Sequence, residues 1–222
     1  MNCRSLFRAS LIVFVLLGVI SSTALAAKGG PGKTTGTGQV FLPNPVADLQ
    51  DQSLTDQKDA DYPALQPAYH IVTLTNLDGS GYLQGDWATI RSETGDPAFS
   101  MVNTFIYTRD DDRFEQVMAY YWITEAQKYI QSLGFGKEFR PINMKSQAVR
   151  INQWGQDNSF ATDKQDELRF GKGGVDDAED AEVILHEYGH AIHFSQSPTF
   201  YTSVESGAIG RRICGLLGRY CQ

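Results

Sequence analysis

The sequence predicts a mixed α+β fold in which a small antiparallel sheet packs on two long helices. Three observations carry that expectation. Strand-like text runs from Tyr69 to Thr108, a long helical pattern spans Asp112 to Leu133, and a second begins at Asp176 or Asp177 and ends near Phe194. At 41% hydrophobic and 20% charged residues, the composition is that of a folded domain and excludes collagen, coiled coil and polytopic membrane protein.

The first stretch reads as a secretory leader. Arg4 and Arg8 form a positive n-region, Leu11 to Ile20 an apolar h-region, and Ala24-Leu25-Ala26 a small-x-small cleavage pattern, so residues 1–26 are expected to be a signal peptide. The apolar run falls short of the roughly 20 residues a membrane-crossing helix needs. A secreted or periplasmic protein is expected, with no membrane association after cleavage. The net charge of −7 becomes more negative once the two leader arginines are lost, which argues against nucleic acid as a partner. Cys3 leaves with the leader and only Cys214 and Cys221 remain near the C-terminus, so no disulfide framework is expected.

Residues 27–39, rich in Gly and Thr, are expected to form a flexible linker. Val40 to Leu65 is polar, with prolines at 43, 45 and 63, and predicts extended, irregular chain. HIVTLTNL, a turn at Asp78-Gly79-Ser80-Gly81, YLQGDWATI and MVNTFIYT predict two or three antiparallel strands. In the first long helix Asp112 and Glu115 have capping-box spacing, Phe114, Val117, Met118 and Tyr121 share a face, and Gly134 supplies the stop. Ala148 to Ile151 predicts a short strand, and Asp157 to Phe170 a polar hairpin or edge segment. The second helix carries acids in its first turns, then Val183, Ile184, Ala191 and Ile192 at helical spacing.

Three of the four histidines lie between positions 186 and 193. His186-Glu187-Tyr188-Gly189-His190 is an H-E-x-x-H sequence inside the second helix. One helical turn separates the two imidazoles, so both can reach one zinc ion at about 2.0–2.1 Å. Glu187 beside them suits a general base for a metal-activated water. His193 lies about 4.5 Å beyond His190 along the axis and about 10.5 Å from His186, out of reach of an ion the first pair shares. It is read as a packed or exposed helix residue, and His70 likewise as an ordinary strand residue. The acids Asp176, Asp177, Glu179, Asp180 and Glu182 have two readings: favourable interaction with the helix N-terminus, or a Ca2+ site.

GGVDDAEDAEVILHEYGHAIHF followed by ESGAIG resembles the gluzincin metallopeptidases, the thermolysin-like and fungalysin-like groups. The resemblance implies that residues 40–210 are a partial catalytic domain, the N-terminal lobe of a thermolysin-like zincin. It implies Zn2+ bound by His186 and His190, Glu187 as the catalytic base, and a peptide or protein substrate lying along Asn158, Ser159 and Phe160. In those families a second helix reads E-S-G-A-x-x-E-x-x-x-D, and its second glutamate is the third zinc ligand. Here Glu205-Ser206-Gly207-Ala208-Ile209-Gly210 matches, but Arg211 occupies the ligand position, and a guanidinium has no lone pair to donate.

Residues 211–222 are accordingly expected to be an aberrant tail. Permitted codons for Gly210 to Cys221, read one nucleotide later, restore the glutamate at position 211 and the aspartate at 215, which makes a reading-frame error the expected origin. The coding DNA tests it. Two function classes follow: a secreted zinc metalloendopeptidase incomplete in this chain, or a non-catalytic secreted fragment that binds metal or peptide without turnover.

Overall fold

The computed structural model describes residues 33–54, 59–92, 95–162, 166–174, 176–197 and 204–220. The expected signal peptide, 1–26, and the start of the expected linker lie outside them. The rest of that linker is corrected: Thr34–Val40 is a strand, β1. Its glycines deprive it of the bulky residues that advertise a strand, yet they are what lets it lie so close to its neighbours. A Cβ on Gly36 would stand 2.4 Å from the Asn103 carbonyl oxygen, and one on Gly38 would stand 2.8 Å from Val117 Cγ1.

The polar text that follows is not simply extended. It makes a short helix, α1 (Pro45–Leu49), and 3-10 turns at Gln52–Leu54 and Pro63–Ala68. The Asn44 side chain caps α1 by accepting the Ala47 N–H at 2.8 Å.

The remaining strands are β2 (His70–Leu77), β3 (Ala88–Ser92), β4 (Thr104–Phe105), β5 (Gln147–Ile151), β6 (Phe160–Thr162) and β7 (Glu167–Arg169). Their pairing corrects the antiparallel sheet. One sheet has the order β2-β1-β4, the other β3-β5-β7-β6, and both are mixed. β1 runs antiparallel to β2 but parallel to β4, and β3, β5 and β7 are mutually parallel with β6 returning antiparallel at the edge. Alternating residues mark a strand without naming its partner. A helix between β3 and β5 carries the chain back to the same end of the sheet, and parallel pairing follows.

That helix is α2 (Arg113–Ser132), as predicted within a residue at either end. The predicted capping box is corrected: Asp112 makes no side-chain cap and instead meets Lys172 Nζ, while Glu115 is fully buried. α2 buries Phe114, Val117, Met118, Ile123 and Ala126 in the core between the sheets and the later helices. Each large apolar side chain buried there contributes about 1.5–3 kcal/mol. Phe41 and Phe114 meet edge-to-face at 4.7 Å, and Trp122 Nε1 donates to the Phe41 carbonyl at 3.3 Å.

Two further long helices follow, α3 (Ala181–Gln196) and α4 (Val204–Tyr220), so the described residues hold three long helices rather than the expected two. α4 runs through most of the segment expected to be an aberrant tail. Its text lacks proline, and Cys214 is buried against α3. No helix among the described residues is long and apolar enough to cross a membrane.

Candidate active site

The start of α3 is set by Asp180, whose carboxylate accepts the Glu182 N–H at 2.7 Å. A 3-10 turn, Asp177–Glu179, leads into it. α3 packs on α2, β6, β7 and α4. Two contacts fix its rotation. Tyr188, fully buried, donates its hydroxyl to Gln127 Oε1 of α2 at 2.6 Å. On Gly189 a Cβ would stand 2.9 Å from Cys214 Cα and 3.0 Å from its Cβ, so the glycine is what allows α4 to approach this closely.

With Tyr188 turned into the core, His186 and His190 come together on another face, both half-buried. Their ring centroids are 5.0 Å apart with planes at 78°, and the His190 ring also stacks on Phe194 at 6.2 Å. Burial first, then the Arg211 charge, holds His186 below its ordinary pKa. His190 is pushed down to about 4 by burial and by the charges of His186, His193 and Arg211. Both imidazoles are therefore neutral at physiological pH, the form that ligates a metal.

Glu187 is 7% exposed. Burial raises its pKa to about 7, against a hydrogen bond from the Ala161 N–H and with further upward pressure from Asp177. A carboxyl poised near neutrality suits proton transfer.

Of the predicted substrate residues, Asn158 is exposed and its carbonyl accepts Trp154 Nε1 at 3.1 Å. Ser159 donates to Asp177 Oδ2, and Phe160 stacks on Trp154 at 4.8 Å with planes 9° apart. The segment meets the H-E-x-x-H helix through the Ala161 backbone of β6, whose N–H donates to Glu187. Sequence reading also passed over Asp177 as one more acid near a helix start. Its carboxyl anchors Ser159 and presses on Glu187, and burial, against the Ser159 hydrogen bond, raises its own pKa to about 6. Nothing local in the sequence separates it from its acidic neighbours.

Arg211 lies exposed on α4, with its charge felt by both imidazoles. It stands where the family resemblance calls for a third ligand. His193 sits in the last turn of α3, partly exposed, and His70 Nε2 pairs with Asp48 Oδ2 at 2.6 Å. No model of a known protein family matches this chain, and no curated protein matches it.

Proposed function

We propose that this chain is a secreted or periplasmic zinc-dependent metalloendopeptidase of the gluzincin kind with Arg211 at its third-ligand position, built to hydrolyse peptide bonds with a metal-activated water. The single observation that carries the reading is the grouping on one helix of two neutral imidazoles with ring centroids 5.0 Å apart, next in sequence to a carboxyl with a pKa of about 7. Two neutral nitrogen donors one turn apart fit a zinc ion; the adjacent Arg211 does not.

His186 and His190 are the residues that would hold zinc, and the ion when bound supplies Lewis acidity, lowering the pKa of a water and polarising the scissile carbonyl. Glu187 accepts the proton of that water and returns it to the leaving amine, roles open to a carboxyl that is part ionised at neutral pH. The Ala161 N–H orients the Glu187 carboxylate, and Asp177 fixes Ser159 at the entrance to β6. β6, at the edge of its sheet, offers backbone groups along which an extended peptide can lie.

The Arg211 charge beside the pair favours a second reading, metal or peptide binding without turnover. Two ligands and a nearby cation predict weak zinc retention and little hydrolysis by the chain as it stands. Arg211→Glu tests the lineage: it should raise zinc affinity at least about tenfold, measured by chelator competition, because it removes a repulsion and adds a donor. Chelator-sensitive casein hydrolysis that Glu187→Gln abolishes would establish catalysis. Zinc without hydrolysis would leave the second reading, and failure of Arg211→Glu to improve zinc binding would refute the site.

A further inference from the structure

The acids ahead of α3 separate into different tasks. Asp180 caps the helix, Asp177 turns to Ser159, and Glu182 is exposed. Asp176 and Glu179 instead converge on Glu115 from the first turn of α2, a residue more than fifty positions away. The three present carboxylate oxygens no more than 4.8 Å from one another. All are deeply buried, at 0% exposure for Glu115, 3% for Asp176 and 4% for Glu179.

Glu115 gives the cluster its significance. Neither of its oxygens accepts a hydrogen bond, although the side chain is wholly enclosed and directed at the other two carboxylates. A buried carboxylate without a donor is strongly disfavoured unless a proton or a cation satisfies it. Burial and the neighbouring Asp176 and Asp112 push its pKa well above the usual range, which measures how poorly the protein alone supports the charge. Arg109, 1% exposed, donates Nη2 to Glu179 Oε2 at 2.5 Å.

Oxygen-only donors select a hard cation, and calcium takes six to eight of them in flexible geometry. Oxygens held within 4.8 Å of one another can share one ion bound at about 2.3–2.6 Å. Arg109, Asp176 and Glu179 also line a cavity of about 410 Å³ beside α1, which provides an entry path and room for the waters that complete six to eight oxygen ligands.

We propose that Glu115, Asp176 and Glu179 form a buried site for a calcium-sized divalent cation, tying the start of α2 to the segment that leads into α3, with Arg109 holding Glu179 in position. This site uses oxygen donors only, shares no residue with the histidine pair, and stands whether or not the chain binds zinc.

The test uses the full chain stripped with chelator and titrated with calcium chloride or magnesium chloride, followed by calorimetry and thermal unfolding. Wild type should bind one calcium saturably and gain several degrees in Tm, with a smaller response to magnesium. Glu115→Gln should weaken calcium binding at least about tenfold, and His186→Ala should leave it unchanged. If wild type shows no saturable calcium binding, or if Glu115→Gln and Asp176→Asn both bind as wild type does, the proposal is overturned and the carboxyls share a proton instead. Should Glu115→Gln fail to fold, Asp176→Asn and the wild-type titration still decide the matter.

Discussion

Glu187→Gln perturbs the protein in a way whose size follows from its surroundings. The native carboxyl titrates at about 7 rather than its ordinary 4.5 because the folded site disfavours its charge. Below 4.5 the carboxyl is neutral in both folded and unfolded chains, and glutamate and glutamine should be equally stable there. As pH rises from 4.5 through about 7 the native state keeps a proton that the unfolded chain has released, so stability falls across that window. At about 1.36 kcal/mol per pH unit, the rise from 4.5 to about 7 corresponds to about 3 kcal/mol. Glutamine is neutral throughout, and its carbonyl still accepts the Ala161 N–H. With chelator present, urea unfolding of both proteins from pH 4 to 8 should give curves that coincide at the acid end. Above neutrality the glutamine variant should be more stable by about 3 kcal/mol. A stability difference that stays flat across the range would refute the argument that burial governs this carboxyl.

Three further outcomes are expected. Asp177→Asn removes a charge that presses on Glu187, so the Glu187 titration followed by carboxyl NMR should move below about 7; an unchanged midpoint would mean the two carboxyls do not interact. Tyr188→Phe leaves Gln127 Oε1 without its buried 2.6 Å donor and should cost about 1–3 kcal/mol in denaturant unfolding, with a much smaller loss in a Gln127→Leu background. Gly189→Ala places a methyl 2.9 Å from Cys214 Cα and should cost about 1–3 kcal/mol, measured the same way, as α4 is forced outward; a neutral result would show that the helix contact is looser than described.

How much of this was legible in the text depends on the range of the forces involved. α2 and α3 were readable because a helix closes its hydrogen bonds locally and shows its buried face every three or four residues. The H-E-x-x-H pair was readable for the same reason, since one helical turn alone brings His186 and His190 to one face. β1 was not, because its glycines are meaningful only beside Asn103 and Val117, which lie far along the chain. The edge hairpin within Asp157 to Phe170 was readable, but its contact with α3 falls to the Ala161 backbone, and no side-chain pattern reports where a main-chain N–H will point.

The sequence by itself therefore determined the periodic helices and the pairing of histidines one turn apart, features governed by bonds between near neighbours in the chain. Only the tertiary structure decided which strands lie side by side, that Glu187 is buried enough to titrate near neutrality, and that Glu115 joins Asp176 and Glu179. Those outcomes arise from desolvation and charge brought together across many residues, and such terms exist only once the chain has closed on itself.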